Sequence, residues 1–257
     1  MQDGRNLVVT EYDLRSILFR APTHLRESAA ARHDPEELLA RHQWAAFARS
    51  LTAFERVRWM NHPKHTYAAE NKPFQLAVAA RLGFETPATV IANCLPYKTS
   101  HRLAVKALDT FLVRMQESDA FFYTQLLSVH DVNASVLKRM PVILQEAFDG
   151  KLDIRVTVVG DKCFAASITR DDQGIEGDWR LAKDSAMFRS FDLPISVSDI
   201  CIRLVRELGL AFGAIDLIYS NGKFYFLEIN PTGEWSWLVE PTGHKIDQAI
   251  TDWLIAA

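Results

Sequence analysis

Neither sign of charge dominates this chain. Its 29 Lys and Arg stand against 32 Asp and Glu, a formal net charge of -3 over 257 residues. The two signs are mixed along the chain, which excludes a basic stripe for nucleic acid and a polybasic membrane anchor. Cysteine is scarce: Cys94, Cys163 and Cys201 are isolated from one another, odd in number and set among apolar neighbours. They read as buried reduced thiols rather than a disulfide framework. No apolar run approaches the ~20 residues of a membrane span, and charges stand at the N-terminus where a signal peptide is apolar. The expectation is a cytoplasmic protein without nucleic-acid or membrane partners. The eight histidines occur singly, outside any zinc spacing, and no Ser-His-Asp arrangement is detectable. What remains, at 48% hydrophobic and 24% charged, is an ordinary folded chain.

Leu7-Val-Val-Thr10 and Ser16-Ile-Leu-Phe-Arg20 read as short strands, the second closed by Ala21-Pro-Thr. Asp34-Pro-Glu-Glu37 offers an N-cap, a proline at the first helical position and a capping-box glutamate ahead of Leu38, Leu39, Trp44 and Phe47 at helical spacing. A second helix runs from Lys72 to Leu82 and stops at Gly83. Strands are expected at Thr89–Ala92, Leu103–Leu108, Pro141–Phe148, Ile154–Val159 and Cys163–Ile168, the last two joined through Gly160-Asp-Lys. Ser198 is read as the cap of a helix ending at Gly209. Ala214–Tyr219 and Phe224–Ile229 form a hairpin about Asn221-Gly222, and Ile246–Ala257 forms a closing amphipathic helix.

Chemistry concentrates on that hairpin. Antiparallel pairing brings Asp216 near the level of Glu228, and the alternation of side chains puts Glu228 and Asn230 on one face. Two carboxylates and an amide oxygen suit magnesium shared with phosphate oxygens. Glu228 stands between Phe226, Leu227 and Ile229, where an unpaired carboxylate is costly. Lys106, among Leu103, Val105 and Leu108, needs an anionic partner for the same reason.

Asp216-Leu-Ile and Phe226-Leu-Glu-Ile-Asn-Pro-Thr-Gly233 resemble the C-terminal signature of the ATP-grasp superfamily. The longer run to Trp237, with Glu240 and Thr242-Gly243 behind it, is similar to ligases that cross-link ribosomally made precursor peptides, the microviridin or graspetide type. The similarity extends from about Ile17 onward. It implies an α/β ATP-grasp fold with a truncated N-terminal lobe and helical region (1–92), a small central lobe (93–148) and a C-terminal metal-binding lobe (149–257), ATP lying between the last two. It implies ATP, magnesium or manganese in its place, and a precursor peptide whose Asp or Glu side chains are joined to Ser, Thr or Lys; a homodimer is left open.

Residue by residue, Lys72 and Lys106 match the two lysines that contact ATP phosphates. Gln145, Glu146, Ala147 and Phe148 match the segment holding the adenine. Asp153-Ile-Arg155 matches an Asp-x-Arg whose Asp is expected at the ribose or a cation and whose Arg155 is a second anion-binding group or a structural strand pair. Asp178-Trp-Arg180 matches the element whose arginine faces the transferred phosphoryl group, where a bidentate donor meets spreading charge. Arg180, Lys106 and Arg155 are thus the catalytic candidates, and Asp216, Glu228 and Asn230 the metal ligands. His244 falls beside that site. Trp235 and Trp237 alternate, one toward the cleft and one toward the core. The glycine-rich phosphate-covering loop of the wider superfamily is replaced after Lys106 by Ala107-Leu-Asp-Thr-Phe111. Two rival readings are a ligase adding an amino acid to a peptide or protein, and a precursor-binding partner without catalysis.

Overall fold

The structure, a computed structural model, describes residues 10, 12–21, 34–95, 102–108, 112–114, 119–121 and 123–256. The strand expected at 7–10 falls outside these but for Thr10, as do Pro22, Thr23 and 109–111. Strand β1 (Ser16–Leu18) pairs in parallel with β2 (Arg58–Met60), and helix α1 (Pro35–Ser50) lies between them in the chain. Pro35 opens α1, but the Asp34 side chain makes no capping hydrogen bond, and Glu37 pairs with Arg41 one turn on instead. The apolar face expected on α1 does not enter a core. Leu39, Trp44 and Phe47 are exposed and Ala45 is the buried residue. Helical spacing identifies a stripe; it does not say that another element covers it.

Helices α2 (Pro63–Ala69) and α3 (Lys72–Arg81) follow. The Asn71 side chain caps α3 by accepting from the Phe74 N–H, and Gly83, at φ +99, ends it as expected.

The central lobe is a sheet built from β3 (Thr89–Ala92), β4 (Arg102–Lys106), β7 (Gln125–Ser128) and β8 (Val142–Glu146), in the order β3-β8-β4-β7, with β5 (Leu112–Arg114) and β6 (Asp119–Phe121) paired apart from it. Strand β3, assigned to the first segment by the sequence reading, therefore belongs to this sheet. Leu103, Val105, Val142 and Leu144 pack on Leu137 of the short helix α4 (Ala134–Leu137).

The C-terminal lobe is an antiparallel sheet of β9 (Leu152–Val159), β10 (Lys162–Arg170), β11 (Gln173–Gly174), β12 (Met187–Ser190), β13 (Phe212–Ser220) and β14 (Lys223–Asn230). Its order is β11-β10-β9-β13-β14, with β12 on β10. Helix α5 (Ile195–Glu207) has Pro194 at its N-cap, four residues before the expected Ser198 cap, and Ser198 lies in its first turn. One face of the sheet carries Ile154, Val156, Val158, Ile215, Leu217, Phe226 and Ile229 onto Leu204 and Val205 of α5 and Val78 and Ala79 of α3. Each fully buried aliphatic side chain contributes about 1.5–3 kcal/mol there. Period-two alternation then leaves Asp153, Arg155, Asp216 and Glu228 on the opposite face, toward the central lobe. Helices α6 (Ser236–Thr242) and α7 (Ile246–Ile255) close the far end against Met60 and Phe212.

The thiols are free, as expected, and Cys201 is buried, but Cys94 is exposed, and Cys163 on β10 meets Cys201 on α5 across the sheet–helix interface.

Two buried amides lock the helical segment to the C-terminal sheet. Asn61 donates to the carbonyls of Phe212 (2.8 Å) and Pro231 (2.9 Å) and accepts from the amides of Ala211 (2.7 Å) and Phe212 (2.9 Å). Gln75 donates to the carbonyls of Ala69 and Ile229 and accepts from the Ile229 N–H. Removing Asn61 strands buried backbone groups, each costing about 1–3 kcal/mol. Asn61→Ala should therefore lose on the order of 3–5 kcal/mol in urea unfolding at unchanged m-value; a loss below about 1 kcal/mol would contradict this clamp.

Candidate active site

Between the two sheets lies a cleft of about 530 Å³, lined from the central lobe by Lys106, Ala107, Gln145, Ala147 and Phe148 and from the C-terminal lobe by Asp153, Arg155, Arg180, Asp216 and Glu228. Its floor is the β13–β14 hairpin. From the turn at Asn221-Gly222, Ser220 pairs with Lys223 and Leu217 with Phe226. Continued without interruption, that register would set Asp216 against Leu227. A β-bulge at this point instead sets Asp216 opposite Glu228, and directly opposed residues share a face. The bulge makes the carboxylate pair.

Four cations from four elements surround the pair. Lys72, at the start of α3, lies 3.4 Å from Glu228 Oε2 and donates to the Ala107 carbonyl at 3.1 Å. Arg180 reaches Glu228 Oε1 at 3.3 Å and Asp216 Oδ2 at 3.5 Å through Nη2. Arg155, registered beside Asp216 on β9, places Nε 3.1 Å from Asp216 Oδ1 but off the hydrogen-bonding direction, so the contact is an ion pair. Lys106 donates to Gln145 Oε1 at 2.7 Å. Burial works to raise the Glu228 pKa, but Lys72, then Arg180, Lys106 and Arg155, pull it down to about 2. Burial pushes Asp216 up against the pull of Arg155 and Arg180, and burial lowers Lys106 although Glu228 opposes it.

The other expected groups fall as follows. Asn230 lies on the cleft, but its amide oxygen accepts from the Thr232 N–H (2.9 Å) and hydroxyl (3.3 Å). Gly233 closes that turn, and a Cβ there would meet the Ala214 Cβ at 2.5 Å. Gln145 is turned to Lys106 and Thr89, and Glu146 holds Ala88 with both its amide and its carboxylate. Ala147 and Phe148 line the cleft beside them, and the Phe148 ring lies 4.5 Å from that of Tyr225. Asp153 is paired with Lys151, a lysine the sequence reading did not single out; burial nevertheless raises Asp153 to about 6. Lys151 stands two residues before Asp153, and that spacing could have flagged a same-face pair.

Trp235 and Trp237 are not on a strand: Trp235 precedes α6 and Trp237 is in its first turn. Trp237 still faces the cleft, where it meets Trp179 at 5.5 Å and Phe188 at 4.7 Å, with Arg155 5.8 Å over its ring. His244 is not in the cleft; its ring nitrogen bonds the Ala165 carbonyl at 2.8 Å. Gln75 was missed too. It shares the buried stripe of Val78 and Ala79, and a polar residue on an apolar helical stripe is a legible signal.

Among the described residues no group of three or more His, Cys, Asp and Glu gathers as a self-contained metal cage. Two opposed carboxylates fit a hard cation that completes its shell with phosphate oxygens, and Asn230 would join them on turning its amide oxygen from Thr232. The surrounding cations fit the phosphates themselves.

Such a cleft between two antiparallel sheets, with carboxylates on one wall and lysines on both, defines an ATP-grasp ligase. The chain belongs to the RimK-like ATP-grasp domain family, which matches residues 120–254. In fold it is similar to the macrocyclase MdnC bound with precursor peptide MdnA from Microcystis aeruginosa MRC (25% identity, TM-score 0.75, covering 96% of this chain and 80% of that one). It is also similar to a Chryseobacterium gregarium RiPP-associated ATP-grasp ligase in complex with ADP and a leader and core peptide (22%, TM-score 0.76, 96% and 78%). A third is the ATP-grasp ligase PsnB complexed with minimal precursor, Mg and ADP (20%, TM-score 0.73, 95% and 78%). No curated protein matches the chain in sequence.

Because the Glu228 pKa is depressed from 4.5 to about 2, its ionised form contributes stability that is fully present above pH 4.5 and is lost as pH falls toward 2. Glu228→Gln should therefore destabilise the ligand-free protein at pH 7 by on the order of 2–3 kcal/mol. The gap to the unmodified protein in thermal melts should narrow steadily below pH 4.5. A gap that is constant with pH would remove the electrostatic origin assigned to it.

Proposed function

We propose that the protein uses magnesium-bound ATP to activate a carboxylate side chain of a ribosomally made precursor peptide and joins it to a hydroxyl or amine of the same peptide. The observation that carries this reading is the Asp216–Glu228 pair set among Lys72, Lys106, Arg155 and Arg180, a layout suited to a metal nucleotide rather than to hydrolysis by a nucleophilic side chain. The likeness to enzymes bound with precursor peptides supports the choice of substrate.

Asp216, Glu228 and Asn230 would hold magnesium, or manganese, which screens the phosphate charge and fixes the phosphoryl geometry. Lys72 and Lys106 hold phosphate oxygens, and Ala147 and Phe148 the base; Lys151 with Asp153 stands at the ribose side. Substrate carboxylate oxygen attacks the γ-phosphorus, the bond to the ADP oxygen breaks, and an acyl phosphate results. Arg180 faces the oxygens over which charge spreads, where a planar fork stabilises it without yielding a proton. The peptide's hydroxyl or amine then attacks the acyl carbon, phosphate leaves, and the nucleophile's proton passes to phosphate or solvent. Holding both groups in one peptide raises their effective concentration above that of water.

With ATP, magnesium and a precursor rich in Thr, Ser, Asp and Glu, each turnover should remove one water from the peptide and add no residue. Reversal by mild alkali marks an ester, the favoured outcome; resistance marks an amide. Arg180→Ala should lower kcat more than ATP affinity, and Lys106→Ala the reverse. A mass gain equal to an amino acid would replace cross-linking by amino-acid addition, and binding of precursor without ADP release would leave only a partner role.

A further inference from the structure

Three consecutive residues of the C-terminal lobe meet the central lobe across the cleft. Arg102 of β4 pairs with Glu176 as well as with Asp149. The next residue, Gly177, sits at φ +78 against Leu126, whose Cδ1 would lie 3.9 Å from a Cβ. Then Asp178 accepts the Thr124 backbone N–H at 3.1 Å through Oδ2. The Arg102 ion pair is exposed and contributes little. The Asp178 carboxylate is buried, its side chain 3% exposed, so a lost partner there is expensive.

Asp178 has a second set of contacts. It caps the turn of 179–185, its Oδ1 accepting the Arg180 N–H at 3.1 Å. Both its oxygens receive Arg180 Nη1, at 3.4 and 3.3 Å, while Nη2 of the same guanidinium points to Asp216 and Glu228. One carboxylate thus grips the central lobe with one oxygen and the arginine of the active site with both.

We propose that Asp178 is a positioning residue that couples closure of the central lobe to the orientation of Arg180. With the lobes together, Thr124 and Arg180 share the carboxylate and Nη2 is aimed at the carboxylate pair. With the lobes apart, Oδ2 loses its amide and takes up water instead, so the carboxylate that holds Nη1 is fixed on its Oδ1 side alone. The arginine is then set for phosphoryl transfer only when the cleft is shut around both substrates, which disfavours ATP hydrolysis in the open state. The role in turnover rests on the proposed ligase reaction; the contact geometry does not.

The test is Asp178→Asn, whose single amide oxygen can serve Thr124 or Arg180 but not both. The expected result is a ligand-free Tm within a few degrees of the unmodified protein, ATP affinity changed less than about threefold and kcat lowered about 10- to 100-fold, the range for a misplaced catalytic group. Hydrogen exchange at 123–126 should be faster than in the unmodified protein. In Arg180→Lys and Arg180→Ala backgrounds the same substitution should add little further loss, because residues acting through one another are not additive. Full additivity, an unchanged kcat, or unchanged exchange at 123–126 overturns the coupling. Should the unmodified protein turn over no peptide, the cross-linking reading falls, and exchange decides alone: slow at Thr124 in the unmodified protein and fast in Asp178→Asn supports the coupling, equal rates overturn it.

Discussion

Two carboxylates opposed on neighbouring strands are the constraint on which the rest of this molecule is arranged. Asp216 is buried and Glu228 half-buried at the cleft floor, where unpaired charge is costly. The compensating groups come from α3, β4, β9 and the turn after Asp178, elements with no common sequence neighbourhood. Their side chains reach the pair only if the helical segment, the central sheet and the C-terminal sheet hold fixed positions. That requirement gives a reason for Gln75. By taking both backbone groups of Ile229, beside Glu228, it ties the helix of Lys72 to the strand of Glu228. Asn61 does the same at the start of β13 and at Pro231 of the Asn230-Pro-Thr-Gly turn.

Over the whole cleft the charges balance: Lys72, Lys106, Lys151, Arg155, Arg180 and Lys183 line it together with Glu146, Asp153, Asp178, Asp216, Glu228 and Glu234. Four of the cations nevertheless converge on the Asp216–Glu228 pair, and that local excess suits an anion of high charge. A triphosphate brings such charge, and a divalent cation moderates it at the carboxylates. The lowered Lys106 pKa reflects the same tension, since burial outweighs the attraction of Glu228.

How much of this was legible depends on the range of the interaction. Asn221-Gly222 announces its hairpin locally, Asn71-Lys72-Pro73 announces a helix start, and both lie where expected. The bulge that brings Glu228 opposite Asp216 is invisible to a count from the turn, because the neighbouring tertiary contacts, not the turn residues, accommodate the extra Leu227. Trp235 and Trp237 were placed by strand alternation, yet the tight turn at Gly233 ends the strand and a helix begins. The α1 stripe of Leu39, Trp44 and Phe47 shows the converse failure, a correct period with no covering element. Lys151 with Asp153 lay within reach of same-face spacing. Asn61 with Phe212, or Thr124 with Asp178, depends on chain segments that no periodicity relates.

The titration of the carboxylates also bears on how an acceptor would be activated. A general base works best with a pKa near the operating pH. Glu234 lines the cleft, yet although burial opposes it, hydrogen bonds from Ser236 and the charge of Arg20 hold it near 2. At neutral pH it is ionised and a poor proton acceptor. Glu228 is equally low and lies among cations. Asp153, at about 6, is better matched but engaged with Lys151. Under the proposed reaction these carboxylates contribute charge and orientation, so the drive for acceptor attack comes from the reactivity of the acyl phosphate and from the hold on the peptide. An amine must then arrive deprotonated, whereas a hydroxyl arrives neutral at any working pH. Under the proposed reaction that difference favours ester formation over a lysine amide.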